Sequence, residues 1–274
     1  MKLRCRMTDI EAMRDFISIV TIISRLSRNC VMRFTKNEVC FRAGHSKPPT
    51  AWAELSQYHY FMEYTMCGVT EEQNEIYLEC DAAMISQSLN SLRTSARSVK
   101  IKLTNKQQPC LTFDIELPSS TMEARQCIHD VPVRVIPRRE WPEFQKPDTP
   151  EFDISIDMPN LKHIRKIVER MKNMSPHLIV TAEKNGTLIL KIDADNASVA
   201  THFHRLHVWT SSQNAEIENI SATVDVKKFL MLLGWDLVHP QNVKCNIIQN
   251  KMVNLLFSLD QHLRIYHFVP VINL

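Results

Sequence analysis

Glycine is scarce: Gly44, Gly68, Gly186 and Gly234 are the whole supply in 274 residues, and they stand far apart. A phosphate-cradling P-loop and a dinucleotide fingerprint both need clustered glycines, so neither can be written, and no ATP hydrolysis by this chain is expected. A Gly-x-Ser-x-Gly elbow is also missing, and the carboxylates form no cluster at metal-binding spacing. Among eight cysteines (Cys5, Cys30, Cys40, Cys67, Cys80, Cys110, Cys127 and Cys245) there is no Cys-x-x-Cys pair. Most lie inside apolar runs, which reads as reduced thiols in a cytosolic or nuclear compartment, serving as small core residues rather than nucleophiles. No run approaches the roughly 20 apolar residues of a membrane span, so a soluble protein is expected. The nearest thing to a signal peptide, residues 16–24, is preceded by Asp9, Glu11 and Asp15 and followed by Arg25 and Arg28 without a small-residue cleavage site. It reads as one face of a helix.

What is present fits a folded protein of one large domain or two ordinary ones: 44% of residues are hydrophobic and 23% charged. The net charge of +3 hides a segregation. Four stretches that read as helices, 9–28, 81–100, 160–174 and 225–235, hold 13 of the 33 Lys and Arg but only 6 of the 30 Asp and Glu, while the remainder is mildly acidic. Helices that share one sign in an otherwise acidic chain suit a polyanion, and duplex DNA is the obvious candidate.

Each helix divides into two faces. In the first, Met13, Phe16, Ile17, Val20 and Ile23 keep helical spacing, while Arg14, Ser18, Thr21, Arg25 and Arg28 run down the other side. The second sets Ala82, Ile85, Leu89, Leu92 and Ala96 against Asn90, Arg93 and Arg97, with Lys100 closing the segment. The third, the most basic, sets Leu161, Ile164, Val168 and Met171 against Lys162, Lys166, Arg170 and Asn173, flanked by Arg165 and Lys172. The fourth offers Lys227 and Lys228. Asp9, Asp81 and Asp225 take N-cap positions, where a carboxylate accepts orphan backbone N–H groups and need not cancel the basic face. Few Asn or Gln residues stand ready to read bases, so binding would be sequence-independent and salt-sensitive.

The one proline-rich stretch, residues 137–150, reads as an extended linker near the midpoint. It separates halves of similar length that repeat one order: strand, basic helix, several strands, second helix, more strands. Lys2–Met7 and 153–158 are the strands preceding the first and third helices, and 75–79 and 98–103 read as strands by alternation. The reading is a tandem duplication resting on element order, with one letter-level match: Asn105-Lys106 and Asn250-Lys251 each follow an alternating strand. His202 and His204 would share one strand face and could offer two imidazoles to zinc, but no Cys or carboxylate ligand lies close in sequence. A polar strand edge explains them more simply, so neither metal nor cofactor is expected.

Taken together, several stretches resemble one family closely, the Hus subunit of the nine-one-one checkpoint clamp, a heterotrimeric relative of the replicative sliding clamp. They are Asn74-Glu-Ile-Tyr-Leu-Glu79, Ile101-Lys-Leu-Thr-Asn-Lys106 with Pro109-Cys-Leu-Thr112, His129-Asp-Val-Pro132 with Val135-Ile-Pro-Arg138 and Trp141, Val168-Glu-Arg-Met-Lys-Asn173 with His177-Leu178, Thr201-His-Phe203, Cys245-Asn-Ile247 with Asn250-Lys-Met-Val253, and Tyr266 to Pro270. The similarity runs nearly end to end and departs around residues 206–220 and 42–50. It implies an α+β fold of two clamp domains, 1–136 and 152–274, joined by a connector at 137–151, with helices lining a central hole and antiparallel sheets outside. It also implies a non-enzymatic nuclear subunit, with a cytoplasmic pool, that joins two paralogous clamp subunits and is placed on DNA by an ATP-driven loader. That subunit helps to activate checkpoint kinase signalling and recruits repair proteins. Carried onto this chain, the ring edges fall near 126–135 and 198–206, which assigns Cys127, His129, Val131, Val133, Val199, Thr201, His202, Phe203 and His204 to subunit interfaces. The front face that receives partner peptides takes Ile136, Trp141, Phe144, Val269 and Pro270. The competing readings are a homotrimeric replication clamp, disfavoured because such clamps are strongly acidic, and a metal-dependent nucleic-acid enzyme.

Overall fold

A computed structural model describes residues 1–46, 50–93, 96–118, 125–148, 150–194, 197–210 and 218–272. Residues 47–49 and 211–217, inside the two segments where the family pattern departs, lie outside the described residues. The chain forms two compact units, Met1–Lys146 with Gln261–Leu263, and Pro147–Asp260 with Arg264–Leu274.

The first unit runs β1 (Lys2–Met7), α1 (Ile10–Leu26), β2 (Asn29–Phe34), β3 (Glu38–Ala43), β4 (Ala51–Ser56), the one-turn α2 (Gln57–Tyr60), β5 (Glu63–Cys67), β6 (Ile76–Asp81), α3 (Ala82–Ser88), β7 (Ser98–Asn105), β8 (Pro109–Leu117) and β9 (Arg125–Val135). The second runs β10 (Ile154–Asp157), α4 (Leu161–Met171), β11 (His177–Glu183), β12 (Thr187–Ala194), β13 (Ala197–Phe203), β14 (Val208–Thr210), β15 (Asn219–Asp225), α5 (Val226–Leu232), β16 (Asn242–Ile248), β17 (Met252–Leu259) and β18 (Leu263–Pro270). With α2 set aside the two orders are the same. So are the neighbours: β5-β1-β7-β8-β9 matches β14-β10-β16-β17-β18, and β4-β3-β2-β6 matches β13-β12-β11-β15. The Asn105-Lys106 and Asn250-Lys251 turns close equivalent hairpins, β7–β8 and β16–β17. Asn250 takes the left-handed conformation, φ 51°, that asparagine tolerates better than most side chains.

The helices start where the sequence places them. Asp9 accepts from Ala12 N at 2.8 Å, Asp81 from Ala83 N and Met84 N, and Asp225 from Lys227 N and Lys228 N. Asn160 does the same for α4 through Lys162 N. The second stretch differs from expectation. Its α-helix stops at Ser88, a 3-10 turn occupies Asn90–Arg93, and Ser98 already belongs to β7. Leu89 and Leu92 are buried, and a spacing of three serves a 3-10 turn as well as an α-helix, so periodicity alone could not separate them.

Alternation along the strands settles what covers each face. In β1, Leu3, Cys5 and Met7 are buried while Lys2 and Arg4 are exposed. In β2 and β3 nearly every residue is buried, because both faces are covered. Phe41 on one face meets Phe16 of α1, ring centroids 5.6 Å apart. On the other face lie Val31 and Arg42, directly paired across the ladder, under residues 136–144. Six of the eight cysteines are buried, as expected of small core residues.

The second unit buries a polar relay. Asn246 donates to Asn254 Oδ1 at 3.0 Å, Asn254 donates to the His267 carbonyl at 3.2 Å, and Trp235 Nε1 donates to His267 Nδ1 at 3.0 Å. A neutral ring accepts that last bond. Burial drives the His267 pKa from 6.5 down to about 3. The unfolded chain therefore takes up a proton below pH 6.5 that the folded chain refuses until about pH 3. Stability is lost as pH falls through that window, by about 1.4 kcal/mol per unit from this group alone. Denaturant titrations between pH 6.5 and 4.5, above the carboxylate range, should show this slope, and His267→Gln should flatten it; an unchanged slope would show that His267 titrates normally.

Candidate nucleic-acid interface

In the first unit α1 buries a wide face, Ala12, Met13, Phe16, Ile17, Ile19, Val20, Ile22 and Ile23, and leaves Arg14 and Arg25 exposed, with Ser18 and Thr21 half-buried between them. It packs beside α3. Thr21 gives its hydroxyl proton to the Ile17 carbonyl at 2.7 Å, so Ser86 donates to Thr21 Oγ1 across the helix pair at 3.1 Å. Arg28, beyond the helix end, sits 3.5 Å from Asp81, the cap of α3. Its side chain is 88% exposed, so this pair tethers it only weakly.

In the second unit α4 buries Leu161, Ile164, Val168 and Met171. Lys162, Lys166 and Arg170 are exposed at intervals of four residues, about 6 Å per step along the axis, and Lys172 at the C-cap is exposed as well. No carboxylate pairs with these four among the described residues. Glu169 is the single acid on the helix. Beside α4 packs α5, with Lys227 and Lys228 exposed in its first turn. Arg165 departs from the expected role: half-buried, it donates to the Leu233 carbonyl in the turn after α5 and so joins the two helices.

Three further residues assigned to the DNA face are not on helices that could present them. α3 itself carries no base. Arg93 ends the 3-10 turn and its side chain lies outside the described residues, while Arg97 is exposed in the link to β7. Lys100 is half-buried on β7, where alternation puts it opposite the buried Val99 and Ile101 and on the outer face of the sheet. The error has one origin, the overlong second helix.

The two expected ring edges have different characters. β13 pairs with β12 along its whole length, and its other side meets no strand among the described residues. His202 and His204 are exposed there, with Val199, Thr201 and Phe203 half-buried. The two imidazoles lie 6.0 Å apart, and His204 Nδ1 is 3.2 Å from the Thr187 hydroxyl. β9 pairs with β8 over Arg125–Pro132 and then with β6 over Val133–Val135, so only its first part has an open side. Cys127 and His129 are half-buried and in contact, Sγ to Nε2 3.1 Å. Val131 and Val133 are buried in the unit's own core, and in this chain they offer nothing to a neighbour. The apolar residue that β9 presents is Ile128, 56% exposed. Alternation would have found it once the buried face was known.

The connector is not the extended linker that its prolines suggest. Residues Arg138–Glu143 form a 3-10 turn with Pro142 inside, and Trp141 and Phe144 are buried. Trp141 stacks on Tyr77 at 4.8 Å and donates Nε1–H to the Ile136 carbonyl at 3.0 Å. Arg42 lies over the Phe144 ring, and Lys146 pairs with Glu54 at 2.6 Å. Beside Tyr77, Arg33 grips Glu75 with two hydrogen bonds of 3.1 and 2.8 Å; burial works against the Glu75 carboxylate, but these bonds outweigh it and hold the group below the usual carboxyl range. Ile136, Trp141, Phe144 and Val269 are therefore core residues with no surface for a docking peptide, and of the five residues assigned to that role Pro270 alone is exposed.

Residues 1–273 match the Hus1-like protein family. The chain is 35% identical to the human checkpoint protein HUS1 over the full length of both. It is 27% identical to the checkpoint protein Hus1-like of Drosophila melanogaster over 99% of both chains. It is also 24% identical to the checkpoint protein hus1 of Schizosaccharomyces pombe, over 77% of this chain and 71% of that one.

Removing the indole that anchors the connector, Trp141→Ala, should destabilise the first unit by about 3 to 5 kcal/mol. Tryptic cleavage at Arg138 and Arg139 should accelerate in parallel. Wild-type cleavage kinetics in the variant would mean that Trp141 does not hold the connector.

Proposed function

The chain belongs to the Hus1-like family and is a checkpoint clamp subunit without catalytic activity, and on that premise we propose that it closes a heterotrimeric ring around duplex DNA with two paralogous subunits. The domains of that clamp subunit are residues 1–136 and 152–274, with 137–151 as connector. The observation that carries the reading is the α4 face: Lys162, Lys166 and Arg170, exposed, evenly spaced and free of carboxylate partners among the described residues. Such a row neutralises phosphates without reading bases, as a protein that travels along DNA requires. Arg14 and Arg25 on α1 and Lys227 and Lys228 on α5 extend it. The open sides of β13 and of Arg125–Pro132 in β9 have unpaired backbone groups that a neighbouring subunit would satisfy by strand addition. Without a P-loop the chain depends on a separate ATP-driven loader. Its place of work is the nucleus, where it recruits checkpoint signalling and repair proteins.

Loaded by its partners onto nicked circular DNA, the complex should be retained through gel filtration and lost on linearisation. Equal loss from both forms would reject encirclement. Lys162→Glu, Lys166→Glu and Arg170→Glu together should leave assembly intact and lower the slope of log affinity against log salt by about 3. An unchanged slope would remove α4 from the DNA face.

A further inference from the structure

The outer face of the first unit's sheet has its own charge pattern, on the side away from the helices. Lys2, Arg4 and Arg6 alternate with the buried Leu3, Cys5 and Met7 of β1 and so share one face. β7 adds Lys100 and Lys102 to the same face, because Arg6 stands directly opposite Lys100 and Arg4 directly opposite Lys102. Like charges facing each other across a ladder destabilise a sheet, and here it happens twice. The flanking strands supply little relief. β5 places Glu63 opposite Arg6, 3.2 Å away, and β8 places Asp114 opposite Lys100, within 3.5 Å of Lys102. Lys2, Arg4 and Lys100 have no ion pair among the described residues.

We propose that this two-strand cationic stripe is a docking surface for an extended acidic segment of a protein partner, with carboxylates on alternate residues. Same-face side chains repeat at about 6.8 Å along a strand, and alternate residues of an extended peptide repeat at the same interval, so successive carboxylates meet Lys2, Arg4 and Arg6 in register. Lys100 and Lys102 bind the same row from the neighbouring strand. The stripe is two strands wide, about 10 Å, and is walled by Glu63 on one side and Asp114 on the other. A duplex, with backbones about 12 Å apart across its major groove, would set phosphates over those carboxylates. None of the five side chains is aromatic, so a single strand finds no platform for its bases.

The test is fluorescence anisotropy on the full chain with a labelled decapeptide of alternating Glu and Ser, beside an oligothymidine and a short duplex. Wild type should bind the peptide with an affinity that falls as salt rises. The double variant Arg4→Glu with Lys102→Glu should bind at least tenfold more weakly while retention on circular DNA is unchanged. Should charge reversal prevent folding, judged by circular dichroism, Arg4→Gln with Lys102→Gln should still weaken binding several-fold. Peptide binding that is absent, or indifferent to these substitutions, would overturn the proposal, as would oligothymidine binding that depends on Arg4 and Lys102 in place of peptide binding. Because the readout is peptide affinity, failure here leaves the ring reading untouched, and failure of the ring reading leaves this one standing.

Discussion

Successive side chains on a strand point to opposite sides of the sheet, and almost everything functional in this molecule follows from which side each residue takes. One side of each unit is committed to a pair of helices, because the apolar stripes of α1 and α4 have nowhere else to go. The other side is then free for something different. In β2, β3 and β6 it receives the connector, and in β1 and β7 it carries unneutralised cations. A sheet with one face covered normally shows clean alternation, and β1 does. Where both faces are covered alternation disappears, as in β3, and the sequence reads as a plain apolar run.

That difference explains what could be read from the sequence. β1 is legible to the residue, because one face is wet and its period is undisturbed. The caps Asp9, Asp81 and Asp225 are legible because a carboxylate before an apolar helical pattern has few other reasons to be there. The duplication is legible as an order of elements, and the pairing of strands bears it out in detail. The end of α3 is not, since no glycine or proline marks it and Leu89 and Leu92 continue a compatible spacing into a 3-10 turn. Nor is the connector. Its prolines correctly deny it an α-helix, but composition carries no sign that Tyr77 and Arg42, far away in sequence, wait to receive Trp141 and Phe144. Assigning residues to a surface by resemblance failed for the same reason at Val131 and Val133: which half of an alternating strand faces outward is decided by packing, and the letters alone leave both choices open.

Positive charge is thus distributed differently from the count by segments. The helical share resides mainly on α4, with smaller contributions from α1 and α5, and Arg165 works within the unit as a donor to Leu233. Lys100 moves to the opposite side of the sheet, into the company of Arg4 and Arg6. The two cationic regions of the first unit therefore face away from each other, one beside helices and one on the sheet exterior, which lets a polyanion and an acidic peptide be held without competition.

The buried relay from Asn246 through Asn254 to His267 has a consequence beyond proton uptake. It crosses three adjoining strands, β16, β17 and β18, and each link depends on side chains meeting opposite one particular neighbour. Sliding β17 by a single position would turn Asn254 outward and strand the amide of Asn246 and the carbonyl of His267 in an apolar interior at once. Hydrophobic contacts alone would tolerate several alignments of Val253, Leu255 and Phe257; three mutually dependent polar groups tolerate one. The relay acts as an alignment key for the hairpin.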